Sequence, residues 1–332
     1  MAARPVHCWL IHNGFISFKR QIKGIAQQLD VVSEEIVIQP NRFLYFVPLS
    51  LQVIYYYFRF KKKVVGHYPL VVIGTGRLII PVLLGIKLLN SKKTFAIFVQ
   101  KPAFGKNFFD LIVAPEHDYL AGKNVLQSLG AINDFNPQQF EKLSSSAEAL
   151  ANKINTRPLI AIYLGGKTKK YSFRPDDAKA LLAEIEKITH EAKGTFIIVS
   201  SRRTGAYMEN LLKEKFNAES HVLVYTSDNS YNPYMDVLSL ADYFFVTEDS
   251  VNLMSEACFT GKPVYLLKLP NYKDGNRKVK FVESMVESGL ICYYQPPLTP
   301  NNYNPLREAQ RLGPEIQQRV YHWLVEQNFK EK

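Results

Sequence analysis

Continuous apolar runs alternate with helical patterns along almost the whole chain, and the alternation runs through twice. The first series is VHCWLI (6–11), EEIVIQ, LVVIG (70–74), TFAIFVQ (94–100) and FDLIVAP (109–115), with helices expected at 15–29 and 77–89. Pro81 lies in the first turns of the second helix, where proline is tolerated. A further helix is expected at 137–154, opened by Asn136 and Pro137. The second series is LIAIYLGG (159–166), TFIIVSS (195–201), HVLVYT (221–226), YFFVT (243–247) and PVYLLKL (263–269). Its helices are expected at 175–192, 205–216, 233–241 and 251–260. Strands apolar along their full length are buried on both faces, as in a parallel sheet covered by helices. The fold class is therefore α/β, with two Rossmann-like domains whose parallel sheets face each other across a cleft. A length of 332 residues agrees with two domains. Asn155-Thr156-Arg157-Pro158 reads as the linker, giving domains at 1–155 and 156–305. The tail, 306–332, contains the amphipathic stretch 314–327 and is expected to pack across the domain junction.

Cys8, Cys258 and Cys292 are odd in number and have no C-x-x-C spacing, so neither a disulfide framework nor a zinc site is indicated. A reducing, cytoplasmic setting is expected. The opening MAARPVHCWLIHNGF lacks a signal peptide's apolar core. No stretch matches the ~18–20 apolar residues of a spanning helix. The nearest, FLYFVPLSLQVIYYYF (43–58), is interrupted by Pro48, Ser50 and Gln52 and ends in RFKKK.

The net charge of +11 is confined to one region: residues 1–110 hold 15 Lys/Arg and 4 Asp/Glu, and the remainder holds 26 of each. Next to an aromatic segment, Arg59, Lys61, Lys62 and Lys63 point to an anionic membrane surface, with a buried helix and solvated turn as the alternative. The expected location is cytoplasmic, peripheral on the inner face of the membrane. Nucleic acid is not expected as a partner, because no recognised module accompanies the basic residues.

In doubly wound sheets, ligands bind where strands end and helices begin. Four such loops in the second half are polar. Gly165-Gly166-Lys167 follows a buried strand and offers either an anion-holding concavity or a tight turn with a basic tail. Ser200-Ser201-Arg202-Arg203 brings two guanidiniums to a strand end, as a pyrophosphate clamp or as an interdomain salt-bridge cluster. Asn232 caps a helix that Pro233 opens, and the loop is either a pure helix cap, the reading the residue types favour, or one that places Tyr234 or Met235 beside a base. Glu248-Asp249-Ser250 leads to Asn252 and Glu256. There the helix amides would meet an anion and the Glu256 carboxylate would accept ribose hydroxyls, or Asp249 or Ser250 would simply cap the helix.

The motifs GGKTKKYSF, SSRRTG, NPYMDVLSLADYFFVTEDSVNLMSEACFTGKPVY, VIGTGR and FDLIVAPEHDYLAGKNVLQSLGAIN resemble the plant mitochondrial fission ("elongate mitochondria") family and its bacterial relatives, which are classed as glycosyltransferases. The resemblance covers nearly the whole chain and implies a GT-B-like fold. VTEDSVNLMSEA also resembles the donor loop of peptidoglycan lipid-intermediate N-acetylglucosaminyltransferases. That likeness makes Glu256 the ribose ligand and sets Ser250 and Asn252 near the diphosphate. In the first half, Asn13, Gly14, Gln21 and Gly24 fit the family's Asn-x-x-Gln region loosely, and an acidic residue is replaced near His12.

Glycosyl transfer needs a base for the acceptor and charge stabilisation for the leaving diphosphate. His12 is one candidate base, with a hydrogen-bonded loop histidine as its alternative. The triplet Glu116-His117-Asp118 is the other, with a turn cap as the alternative. Arg77 is placed to contact acceptor or donor phosphate. No metal-ligand cluster and no cofactor are expected, the nucleotide-sugar being donor substrate. The lack of GxGxxG after the first strand argues against an epimerase. Two functions follow. One is a metal-independent glycosyltransferase acting on a lipid-linked or envelope glycan acceptor. The other is a non-catalytic GT-B scaffold recruiting partners at a membrane.

Overall fold

The computed structural model describes residues 6–39, 41–63, 68–90, 93–140, 142–168, 171–269 and 276–330. The chain forms two compact units, residues 1–135 with 307–332, and residues 136–306.

In the first unit, β1 (His7–His12), β2 (Val32–Val37), β3 (Val71–Thr75), β4 (Phe95–Val99), β5 (Leu111–Pro115) and β6 (Val125–Ser128) form one sheet. Its order is β2-β1-β3-β4-β5-β6, and every pairing is parallel. Side chains alternate across the sheet, so Val71 and Ile73 enter one core while Val72 enters the other. The first core is closed by Ile22 and Ile25 of α1 (Ile16–Ala26). The second takes Tyr56 and Phe60 from α2 (Leu49–Lys63) and Ile80 and Leu83 from α3 (Ile80–Leu89). Burying each such aliphatic side chain contributes about 1.5–3 kcal/mol.

The second unit carries β7 (Leu159–Tyr163), β8 (Thr195–Val199), β9 (Val222–Tyr225), β10 (Tyr243–Thr247), β11 (Val264–Leu267) and β12 (Cys292–Tyr293). They lie in the order β12-β11-β10-β7-β8-β9, again all parallel. Its helices are α4 (Ser145–Ala151), α5 (Pro175–Glu191), α6 (Ala206–Phe216), α7 (Tyr234–Leu240), α8 (Val251–Phe259) and α9 (Asn276–Glu287).

The division of the chain differs from the expected one. Residues 136–155 belong to the second unit. Phe140 packs on Phe259 with ring centroids 5.6 Å apart, and Ser144 Oγ donates to Asp236 at 2.7 Å. The helix expected over 137–154 is split into a 3-10 turn, Pro137–Phe140, and α4. Ser144 causes the restart by accepting the Ala147 N–H at 3.0 Å as an N-cap. The final helix, α10 (Glu308–Lys330), belongs to the first unit. Its Leu312, Ile316 and Val320 complete the core around Ile22, and Trp323 stands edge-on to Phe95 at 5.6 Å.

Candidate functional site

Strand order creates the site before any side chain does. In the second unit β7 lies beside β10, and the crossovers from the two strands run to opposite sides. This is the switch point at which doubly wound sheets open a crevice. Gly165 and Gly166 leave β7 there, and Thr247 to Ser250 leave β10.

A buried carboxylate organises the crevice. Asp249 accepts from the Gly166 N–H at 3.1 Å and from Thr247 Oγ1 at 2.7 Å, and it pairs with Arg203. Thr247 Oγ1 in turn accepts from the Gly165 N–H at 2.8 Å. The glycines fit because there is no room for a side chain. A Cβ on Gly165 would lie 2.1 Å from Asp249 Oδ1, and one on Gly166 would lie 2.3 Å from the Arg203 carbonyl oxygen. Their amides therefore point inward to Thr247 and Asp249, and the anion-holding concavity expected of them is not formed by these two groups. Arg203 is likewise committed to Asp249, in a salt bridge within the second unit rather than the interdomain cluster that was the alternative to a clamp.

Other cations flank the crevice. Arg202 and Lys167 are exposed and line a cavity of about 400 Å³ with Phe173, Thr204 and Tyr207. Ser201 Oγ accepts the Arg203 N–H at 3.3 Å and faces the Gly165 carbonyl. Lys278 of α9 donates to the Asp249 carbonyl at 3.0 Å, a contact no local pattern announced.

Ser250 is the N-cap of α8, its side chain accepting from the Leu253 N–H at 3.4 Å, and Asn252 lies in the first turn. Glu256, on the same helix, is buried and hydrogen-bonded by the Tyr234 hydroxyl. Tyr234 starts α7, where Asn232 Oδ1 accepts its N–H at 3.0 Å. Beneath it, Tyr163 donates its hydroxyl to the Tyr234 carbonyl at 2.9 Å, with ring centroids 4.7 Å apart. Tyr163 was hidden in the sequence inside an apolar strand.

Glu248 points away from this network and accepts the Leu269 N–H at 2.6 Å. Burial raises its pKa above the ordinary 4.5, against the lowering effect of that hydrogen bond. The folded chain then holds the proton more tightly than the unfolded one, so stability falls as pH rises from the unfolded value through the folded one. Glu248→Gln keeps an acceptor for Leu269 and removes the titration. The melting temperature of the variant is expected to gain on wild type as pH rises from the acidic side of that window to neutrality, and parallel curves would refute the assignment.

In the first unit the switch point lies between β1 and β3. Asn13 and Gly14 follow β1, and Gly14 takes φ +89°. Gly76 and Arg77 follow β3. Gly76 takes φ +91°, and a Cβ there would meet the Phe18 ring at 2.7 Å. Arg77 is exposed. Gln21 of α1 accepts from Gln100 Nε2 at 2.9 Å, and Gln100 holds a left-handed φ of +84° at the end of β4. Sequence reasoning missed Gln100, whose backbone conformation has no residue-type signature.

His12 has both ring nitrogens engaged. Nδ1 accepts the Gly14 N–H at 3.0 Å, which puts the proton on Nε2, donated to Glu35 at 2.8 Å. It is 2% exposed. Glu35 is held below the ordinary carboxylate range first by Lys19, at 2.7 Å, and further by His12. This arrangement corresponds to the hydrogen-bonded loop histidine and leaves no ring nitrogen open to an acceptor hydroxyl. Glu116, His117 and Asp118 form a 3-10 turn after β5, and Lys101 Nζ holds the Asp118 carbonyl at 2.8 Å. Because β5 is three strands from β1, the triplet is about 14 Å from His12 at ordinary strand spacing.

The comparisons agree with this architecture. A family model described as mitochondrial fission ELM1 matches residues 18–320. An uncharacterised protein of Rickettsia prowazekii, RP120, is 27% identical over 248 residues, 65% of this chain and 70% of the relative. The mitochondrial fission protein ELM1 of Arabidopsis thaliana is 27% identical over 248 residues, 67% of this chain and 56% of its own length. Among solved structures, the glycotransferase of kitacinnamycin has a TM-score of 0.53 at 12% identity, covering 96% of this chain and 94% of that one. The UDP-GlcNAc 2-epimerase of Methanocaldococcus jannaschii has a TM-score of 0.51 at 15% identity, covering 94% of this chain and 99% of that one. The fold is that of GT-B glycosyltransferases and these epimerases.

Proposed function

Given that the chain belongs to the mitochondrial fission ELM1 family, we propose that its second unit binds a nucleotide-sugar at the β7/β10 switch point and that the protein is a metal-independent glycosyltransferase. The observation that carries this reading is the buried Glu256 on α8, held by Tyr234 beside that crevice. A carboxylate so held is ready to accept ribose hydroxyls, with little side-chain entropy left to lose on binding. The diphosphate would then lie over the N-terminus of α8 at Ser250 and Asn252, where the helix dipole favours negative charge. With Arg203 tied to Asp249, the leaving-group charge falls to Arg202 and Lys167. The first unit would receive a lipid-linked or envelope glycan acceptor near Asn13, Gln21 and Arg77.

A second reading is favoured by His12, whose ring is spent on Gly14 and Glu35. It is that of a GT-B scaffold which binds partners at a membrane without turning over sugar. Titrating the chain with UDP-, GDP-, ADP- and CMP-sugars in a calorimeter tests donor binding. One of them is expected to bind, and silence from all four would end the donor reading. Binding without transfer or hydrolysis on any glycan or lipid acceptor would favour the scaffold.

A further inference from the structure

Residues 41–63 carry a surface that the donor site does not use. They fold as a 3-10 turn, Arg42–Phe46, running into α2. One face of α2 is spent on the core through Gln52, Tyr56 and Phe60. The opposite face is apolar too. Leu51, Ile54, Tyr55 and Phe58 follow the i, i+3, i+4, i+7 spacing of a single helical stripe, and all four are exposed. In the preceding turn, Phe43 is 74% and Phe46 88% exposed. Single exposed apolar residues are ordinary, but a contiguous group of this kind marks an interaction surface.

The stretch of chain that carries this stripe has one sign of charge: residues 36–109 hold eleven Lys/Arg and no Asp/Glu, and of these Lys87 of α3 is paired with Asp110. Arg59 and Lys61 close the stripe at the C-terminal end of α2, exposed, and Arg59 reaches the Tyr55 hydroxyl at 3.4 Å. Lys62 and Lys63 follow in the helix, but their side chains lie outside the described residues. A second copy of the chain would bring two such cationic surfaces together, which electrostatics opposes. Among the described residues no helix is long and apolar enough to cross a membrane, and α2 has 15 residues. A helix with one buried seam, one exposed apolar stripe and a cationic end fits the plane of an anionic interface.

We infer that the turn Arg42–Phe46 and α2 dock the chain onto an anionic lipid bilayer. Phe43, Phe46, Leu51, Ile54 and Phe58 enter the boundary between headgroups and acyl chains, and Arg59 and Lys61 meet lipid phosphates. The sequence pointed to the basic run, and the exposed stripe supplies the anchors that charge alone lacks. The inference stands independently of nucleotide-sugar binding.

The test is sedimentation of the full chain with vesicles of phosphatidylcholine alone or mixed with phosphatidylglycerol. Binding to the mixed vesicles only is expected. Arg59→Gln with Lys61→Gln is expected to lower the partition coefficient roughly fivefold for each charge removed, from about 1 kcal/mol per basic residue at such a surface. Phe46→Ser, Ile54→Ser and Phe58→Ser together are expected to bring binding to background with an unchanged melting curve, since these positions face solvent. In a separate Phe58→Trp variant, tryptophan emission is expected to shift to the blue on adding mixed vesicles. Failure of the wild type to bind mixed vesicles would overturn the inference, as would full binding by the well-folded triple serine variant. So would a lipid-free dimer, seen in sedimentation velocity, that the triple variant dissolves.

Discussion

Gly165→Ala is expected to lower the stability of the second unit by about 3 kcal/mol, combining overpacking with the loss of a buried hydrogen bond. The new methyl would stand 2.1 Å from Asp249 Oδ1 and 2.3 Å from Oδ2. A flexible side chain would swing aside, but Asp249 is fixed by Gly166, Thr247 and Arg203. Relief requires breaking at least one of those contacts or moving the end of β7. For a unit of this size the melting transition should drop by roughly 10 °C. Gly289→Ala is the control. Unlike Gly165, Gly289 has a positive φ, +68°, but nothing lies within 4 Å of its Cβ position. Its cost should be only the strain of a left-handed residue, about 1–2 kcal/mol. If both variants melt together, the Asp249 network is not what holds the crevice.

Glu256→Ala is expected to weaken nucleotide-sugar binding about 100-fold, corresponding to roughly 3 kcal/mol for hydrogen bonds to a buried charged group. Glu256→Gln keeps one acceptor and loses the charge, so a loss of about tenfold is expected. Tyr234→Phe leaves the carboxylate but removes the hydroxyl that holds it. It should fall between the wild type and Glu256→Gln. The ordering of the three calorimetric affinities separates a ribose ligand from a purely structural carboxylate. A structural Glu256 would shift melting temperature in all three variants and leave their affinities equal.

The sequence was most legible where burial is uniform. Strands such as LIAIY and YFFVT are apolar along their whole length, so their identity and their place in a parallel sheet followed from composition alone. Short edge strands carry too few residues to show a pattern, and β6 and β12, with 4 and 2 residues, went unseen. The boundary at residue 155 was drawn from local linker chemistry. Assignment to a unit depends on which core a segment touches, and Phe140 touches Phe259.

What the sequence by itself determined was the two-domain α/β class and the loops on which polar residues would gather. Both are local properties of burial and of strand-to-helix transitions. Only the tertiary structure decided what those residues do, because their roles are set by partners distant in the chain. Arg203 became the counter-ion of Asp249, 46 positions away, and ceased to be a free phosphate clamp. His12 spent its ring on Gly14 and Glu35. Tyr234 and Glu256 met across 22 positions. The same holds for α2: its apolar residues were visible from the start, but which of them face the core and which face outward was settled by packing against α3.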